Sequence, residues 1–117
     1  MSDEQQWYGV RCIFRWRGGD DDRLYEERIT LWRASSFEEA IAKAEADAAA
    51  YVGIDVRSGP HRYLGLAQAY LIDDELEEGT EVFSLLRRSR LKRRAYLDSY
   101  FVTGAEIEGL MDDVPGA

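Results

Sequence analysis

The sequence predicts an α+β fold, in which a four-stranded antiparallel sheet carries two helices on one face in the order ββαββα. Four segments, 7–17, 23–34, 62–73 and 81–88, have the composition of β-strands, and apolar residues alternate clearly along the first of them. Helical patterns follow the second and the fourth segment. The phrase "ERITLWRAS" at 27–35 is also similar to "EVFSLLRRS" at 81–89, which suggests a ββα unit used twice, by duplication or by convergence.

The length and composition are typical of one globular domain. The chain has 117 residues, of which 45% are hydrophobic, and its formal net charge is −8. We predict a flexible leader over residues 1–6, a single domain over 7–104 and an acidic, flexible tail over 105–117. Because the sequence has neither a long apolar run nor a signal-peptide pattern, we expect a cytoplasmic protein that does not bind membranes.

The first two strands are predicted to form a hairpin. The apolar side chains of the strand 7–17 share one face, which we expect to be buried: Tyr8, Val10, Cys12, Phe14 and Trp16. A turn of Gly and Asp residues joins this strand to the returning strand 23–34. In the returning strand we expect Ile29 and Leu31 to face the core and Trp32 to face away from it.

The first helix has a clear start in the sequence. Ser36 and Glu39 have the spacing of a capping box, in which a hydroxyl and a carboxylate each satisfy a free backbone N–H. The apolar residues that follow at helical spacing form a stripe: Phe37, Ala40, Ile41, Ala44, Ala48 and Tyr51. Because much of this stripe is alanine, we expect the helix to lie close to the sheet, and Gly53 is expected to end it.

The second half of the chain has a similar pattern. The strand 62–73 is apolar on both faces, as expected of a central strand or of an oligomer interface. An acidic turn separates it from the strand 81–88. Ser89 is then predicted to cap a second helix, which Gly104 ends.

The sheet face opposite the helices is the main candidate binding surface. It is predicted to display aromatic and arginine side chains, which are enriched in contact surfaces. The candidate binding residues are Trp7, Arg11, Arg15, Glu26, Arg28 and Trp32. We expect the protein to form a homodimer through this face and to act by binding another protein. The alternatives are a pair of tryptophans, Trp7 and Trp32, that cover each other at the surface, and a site for a small ligand.

A second candidate site is a basic stretch within residues 87–94. Its cations are Arg87, Arg88, Arg90, Lys92, Arg93 and Arg94. They could pair with the chain's own acidic residues, remain solvated or bind nucleic acid, although the net charge of −8 disfavours nucleic acid. The acidic residues within 20–22 and 73–78 suggest a basic protein as another partner.

The sequence lacks the patterns of common catalytic sites. It has no nucleotide-binding glycine loop and no nucleophile motif. A single cysteine and a single histidine, Cys12 and His61, cannot form a structural zinc site, and we expect an inert core thiol and a surface-loop imidazole. Glu26 and Arg28 share a strand face and favour an ion pair. We therefore predict no catalytic residue, metal or cofactor, and a non-enzymatic interaction module.

Six phrases follow one another along the chain: "WYGVRCIFR", "YEERITLWRA", "EEAIAKAEADA", "YLGLAQAY", "EVFSLLRRS" and "YLDSYFVTG". In this order they resemble the family called domain of unknown function 4288. The resemblance covers about residues 7–106 and implies a small, stand-alone bacterial domain of the cytoplasm. It supplies no activity and no catalytic residues that could be carried onto these positions.

Overall fold

The computed structural model describes residues 4–16, 23–53, 60–72 and 75–107. They belong to two units, Met1–Ser84 and Leu85–Ala117. The first unit contains, in chain order, β1 (Gln6–Trp16), β2 (Leu24–Ala34), α1 (Phe37–Gly53) and β3 (Pro60–Leu71). The second unit contains α2 (Arg93–Tyr96), which continues into a π-helical turn over Leu97–Phe101.

The strands form a three-stranded antiparallel sheet in the order β2-β1-β3, so β1 is central. β1 pairs with β2 in a single register along its whole length, whereas its pairing with β3 shifts between Cys12 and Phe14. Gly65 lies on β3 at this shift with φ 80°, a left-handed conformation that glycine adopts without steric cost. Of the two edge strands, β2 is therefore the regular one.

The predicted four-stranded sheet and the ββαββα order are wrong. Residues 81–88 form no strand, and every one of them is exposed. Both hydrogen-bonding edges of β1 are already occupied, by β2 and β3. After β3 the chain places Phe83 against the ring of Tyr70, with ring centroids 5.1 Å apart, and forms no further ladder among the residues that the structure describes.

The second helix is shorter than the sequence predicts. Ser89 does not cap it, and its hydroxyl accepts a hydrogen bond from the N–H of Leu91 at 3.0 Å. The helix α2 begins at Arg93, and its N-cap residue, Lys92, makes no side-chain capping bond. Cations at a helix start oppose the helix dipole, so the basic residues before and within α2 disfavour an earlier start.

The start of α1 contains the capping box that the sequence predicts. Ser36 Oγ accepts a hydrogen bond from the N–H of Glu39 at 3.1 Å. The carboxylate of Glu39 reaches one residue further back than expected, and it accepts bonds from the N–H and the hydroxyl of Ser35 at 2.6 and 2.8 Å. These hydrogen bonds lower the pKa of Glu39. Two hydrogen-bond donors at the helix start are thereby satisfied.

The core lies between β1 and α1. The strand contributes Tyr8, Val10, Cys12 and Phe14, and the helix contributes Ala40, Ala44 and Ala48. The alanines have no side chain beyond Cβ, so the helix approaches the larger side chains of β1 closely. Tyr8 also packs edge-on against Phe37, with ring centroids 5.1 Å apart. The alanine stripe and the aromatic strand face are thus complementary.

The faces of β2 are the reverse of those predicted. Directly opposite residues of an antiparallel pair share a face, and Trp32 lies opposite Tyr8, while Arg28 lies opposite Cys12. The side chains on the α1 side are therefore Glu26, Arg28, Thr30 and Trp32. Those on the other side include Tyr25, Ile29 and Leu31. The polar residues of β2 are covered because polar side chains of α1 and β1 hydrogen-bond them.

We predict that Phe14→Ala and Ile29→Ala have very different effects on stability. Phe14 is fully buried, so its truncation should lower the free energy of unfolding by about 3–5 kcal/mol. Ile29 is 44% exposed on the other face, so its truncation should cost less than about 1 kcal/mol. Urea denaturation of both variants measures the difference. A larger loss for Ile29→Ala would contradict the assignment of the two faces.

Candidate interaction surface

The open sheet face is the side of the sheet that does not pack on α1. Its side chains alternate with the covered ones along each strand and align across strands by register. From β1 and β2 they are Trp7, Gly9, Arg11, Ile13, Arg15, Tyr25, Glu27, Ile29, Leu31 and Arg33. From β3 they include Arg62, Gln68 and Tyr70.

The structure divides the six candidate binding residues between two faces. Those on the open sheet face are Trp7, Arg11 and Arg15; those on the α1 side are Glu26, Arg28 and Trp32. The proposed surface pair of Trp7 and Trp32 is therefore wrong, because the two rings lie on opposite sides of the sheet. The guanidinium of Arg33 lies 5.4 Å from the ring centroid of Trp7, and Trp32 donates through Nε1 to Thr30 Oγ1 at 2.7 Å.

Arg11 joins all three strands across the open sheet face. Its Nη2 and Nε donate to Glu27 Oε1 on β2 at 2.8 and 3.1 Å, and its Nη1 donates to Gln68 Oε1 on β3 at 3.1 Å. A guanidinium held on both sides has few alternative orientations. Arg11 is therefore a fixed, partly exposed cation in the middle of this face.

An apolar area adjoins this arginine. Ile29 and Leu31 are more than two-fifths exposed, and Leu66 is 62% exposed. An open depression of 360 Å³ is lined by Arg11, Ile13, Leu66, Ala67 and Gln68. Pockets that hold small ligands enclose most of the ligand surface, which an open depression does not. Exposed aliphatic side chains on a rigid sheet are instead typical of surfaces that contact other macromolecules.

One end of the open sheet face is covered by the chain itself. The ring of Tyr70 packs over Gly9, where a Cβ atom would lie 2.7 Å from the ring. Phe83 also packs on the ring of Tyr70. The hydroxyl of Tyr70 is shielded and has no hydrogen-bond partner in the described part of the chain, and burial raises the pKa of Tyr70. Glycine at position 9 is required for this close approach.

The open sheet face is cationic although the protein is acidic. Among its charged side chains are four arginines, Arg11, Arg15, Arg33 and Arg62, against one glutamate, Glu27. The whole chain has a formal net charge of −8. The positive charge is therefore concentrated on a surface that also exposes aliphatic groups.

A polar cluster fastens α1 to the other face of the sheet. Glu26 accepts hydrogen bonds from Trp16 Nε1 at 2.9 Å and from the hydroxyl of Tyr51 at 2.9 Å. Arg28 forms its ion pair with Asp47 of α1 at 3.0 Å, with its guanidinium 3.9 Å from the ring centroid of Tyr51. The predicted ion pair between Glu26 and Arg28 is therefore wrong, because each finds a closer partner elsewhere. Burial, with the hydrogen bond to Glu26, raises the pKa of Tyr51 to about 12.

Cys12 and Tyr63 lie next to this cluster. Cys12 is buried, and burial raises the pKa of its thiol, which disfavours the reactive thiolate. Tyr63 donates to Glu45 Oε2 on α1 at 2.6 Å, and burial together with this hydrogen bond raises the pKa of Tyr63. The hydroxyls of Tyr51 and Tyr63, which join the sheet to α1, are thus held in the neutral, donating form. The cluster joins α1 to the sheet, and the carboxylates of Glu26, Glu45 and Asp47 all accept hydrogen bonds across this contact.

The basic stretch lies in the second unit. Arg87 packs against the ring of Tyr100, 4.2 Å from its centroid, and donates to the hydroxyl of Tyr96 at 3.0 Å. Arg94 lies 3.7 Å from Asp98. All six cations of the stretch are exposed. The acidic residues 20–22, 73 and 74 are outside the described residues, as is the side chain of His61, whereas residues 75–78 are exposed.

The described residues contain no group of three or more His, Cys, Asp or Glu side chains that could hold a metal ion. Within the same residues, no helix has the length and apolarity required to cross a membrane.

Comparison with known proteins identifies the family of the first unit. A family model described as Domain of unknown function (DUF4288) matches residues 7–84. The chain belongs to this family. The match ends at the boundary between the two units, so the DUF4288 domain comprises β1, β2, α1, β3 and the segment that ends at Ser84. No curated protein and no solved structure matches the chain.

Sequence reasoning missed several residues of the open sheet face of the DUF4288 domain. Ile29 and Leu31 were expected in the core, and Glu27 and Gln68 were not recognised as partners of Arg11. Ile29 and Leu31 could have been placed only from the pairing register of the hairpin. The register sets Ile29 opposite Arg11, on the open sheet face, and it depends on the length of the turn.

We predict that alkaline pH destabilises the protein through Tyr51. In the unfolded chain this hydroxyl loses its proton near its ordinary pKa of 10, whereas in the folded chain it keeps the proton until about pH 12. The free energy of unfolding should therefore be unaffected below pH 10 and fall as pH rises from 10 to about 12. Tyr51→Phe should make this fall less steep, which denaturation across this pH range measures.

The matched control is Tyr25→Phe, because Tyr25 is exposed on the open sheet face. It should leave the steepness of the alkaline decline unchanged. Equal steepness in wild type and Tyr51→Phe would contradict the coupling of Tyr51 to the fold.

Proposed function

We propose that this protein is a non-enzymatic interaction module, which binds another protein on its open sheet face. The observation that supports this most directly is the exposure of Ile29, Leu31 and Leu66 beside arginines on one rigid surface. The buried centre of a protein–protein contact is apolar, and arginine is enriched there. The polar groups of the other face are engaged with α1 and offer no comparable surface.

The partner that fits the open sheet face is acidic and apolar. Four arginines and one glutamate favour a surface with an excess of carboxylates, and the exposed aliphatic groups favour apolar side chains between them. Two copies of this face packed on each other would set arginines against arginines. We therefore propose a different protein as the occupant of this face. The predicted basic partner would instead use the acidic turn, of which residues 75–78 are described and exposed.

Site-specific photo-crosslinking tests this proposal. We expect a benzophenone side chain at Tyr25 or Leu66, both on or beside the open sheet face, to capture one acidic protein in cells that express the protein naturally. The same group at Ala46, on the exposed side of α1, is the matched control and should not capture it. Adding Arg15→Glu should reduce capture from Leu66 by on the order of tenfold, since arginines often dominate contact energies.

Capture of the same protein from Ala46, or unchanged capture with Arg15→Glu, would contradict the proposal. If only a second copy of the protein is captured, the open sheet face mediates self-association and does not bind a different protein. Circular dichroism of each variant checks that the fold is intact.

Binding to nucleic acid is the second candidate, and the exposure of the basic stretch favours it. Arg88, Arg90 and Arg93 are exposed cations on a short segment. The residues up to Ser84, however, contain 18 acidic and 9 basic residues, a net charge of −9 that repels phosphates. We therefore expect no retention of single- or double-stranded DNA or RNA in a gel shift at low salt. Retention that is lost in Arg88→Glu/Arg93→Glu and restored in Arg88→Lys/Arg93→Lys would favour the nucleic-acid function instead.

A further inference from the structure

The segment 81–88 has the composition of a strand but no strand beside it. Val82 and Leu85 are at least half exposed, and Leu86 is 95% exposed. No backbone hydrogen bond joins these residues to the rest of the described chain. An apolar segment whose backbone groups make no backbone hydrogen bonds in the described chain can pair with the edge of a sheet.

The outer edge of β2 is the one regular edge that the described sheet offers. β2 pairs with β1 over eleven residues without a register shift, and it contains no proline and no glycine. The other edge strand, β3, begins with Pro60 and carries the irregularity at Gly65. Proline and bulges interrupt the row of backbone groups that an added strand needs. An incoming strand therefore fits β2 better than β3.

We propose that residues 81–88 of one copy pair antiparallel with the outer edge of β2 in a second copy, with Ser84 opposite Thr30. This register places three complementary pairs on the open sheet face: Phe83 with Leu31, Leu85 with Ile29 and Arg87 with Glu27. It also places Glu81 opposite Arg33. Apolar and oppositely charged cross-strand pairs each contribute to the stability of a sheet, and here they alternate in the right order along both segments.

The other side of the same pairing is also complementary. Val82 lies opposite Trp32, which is half-buried, and the two small hydroxyl residues, Ser84 and Thr30, face each other. Leu86, the most exposed apolar residue described, gains cover next to Arg28. Because α1 lies more over β3 than over β2, it leaves room on this side for the added side chains.

The acceptor is a second copy because the donor segment starts at the wrong edge of its own sheet. Phe83 packs against Tyr70 of β3, and β2 lies two strand spacings away, about 10 Å, on the far side of β1. To reach its own β2 the segment would have to cross the open sheet face. In the paired form Phe83 leaves the ring of Tyr70 and packs on Leu31 of the second copy. The exchange can be reciprocal, as expected of a symmetric pair.

Disulfide trapping between two single variants tests the register and the second copy together. Thr30→Cys and Ser84→Cys are nearly isosteric, and directly opposite residues have the Cα separation that a disulfide requires. When the two proteins are mixed and oxidised, we expect a crosslinked heterodimer with at least tenfold higher yield than from either protein alone. The native Cys12 is buried and remains in both.

The off-register control mixes Ser84→Cys with Arg33→Cys, which lies three residues away and points to the other face, so it should give no heterodimer above background. Absence of the Thr30–Ser84 heterodimer, or equal yields from the two mixtures, would overturn the proposal. An internal crosslink in the Thr30→Cys/Ser84→Cys double variant, seen as a monomer, would also overturn it.

Solution mass gives a second readout that needs no oxidation. The N–H of Ile72 donates to Trp7 O, so alternate residues of β1 bond β3 and the others bond β2, and the outward backbone groups of β2 belong to Glu27, Ile29 and Leu31. Leu85→Pro removes the backbone N–H that would donate to Ile29, and this N–H makes no backbone hydrogen bond in the single copy, so the fold should be unchanged. We expect it to weaken dimerisation by at least tenfold in sedimentation equilibrium, whereas Leu85→Ala weakens it less. Equal dimerisation of wild type and Leu85→Pro would contradict strand pairing. These tests do not involve the partner of the open sheet face, so either proposal can fail without the other.

Discussion

The packing of an alanine stripe on the aromatic face of β1 is the contact on which the other features depend. Ala40, Ala44 and Ala48 bring α1 close to Val10 and Phe14, which are fully buried on the central strand. One helix of this length covers one face of three strands and no more. The other face therefore remains open, and both β2 and β3 remain edges in the described unit. Both the open sheet face and the free edge of β2 follow from this arrangement.

The part of the fold that could be predicted is the part in which local pattern and burial agree. The alternation of β1 places its aromatic residues under the helix, and the capping box marks the start of α1 within one residue. β2 is different, because its more apolar residues, Ile29 and Leu31, face solvent, while Glu26 and Arg28 are covered. Hydrophobicity cannot identify the covered face when the helix supplies a tyrosine and an aspartate as partners. Only the cross-strand register decides it.

The misplaced fourth strand has a related cause. Residues 81–89 are similar to 27–35, and local composition predicts the same extended conformation for both. Local composition does not decide whether such a segment joins a sheet. Phe83 packs on the ring of Tyr70, and residues 81–88 add no strand to the described sheet. The candidate site, too, was predicted only in part. Trp7, Arg11 and Arg15 were predictable because β1 alternates clearly, whereas the β2 contribution was assigned to the wrong face.

The two proposed surfaces are compatible and would reinforce each other. A strand added along β2 would place Phe83 and Leu85 beside Leu31 and Ile29, so it would widen the apolar part of the open sheet face. It would also place Arg87 next to Glu27, the one carboxylate that offsets the arginines there. The face would become more apolar, and its net charge would stay the same because Glu81 enters opposite Arg33 on the same face. Pairing between copies would therefore enlarge the apolar area that a partner can contact, without changing the positive charge that favours an acidic one.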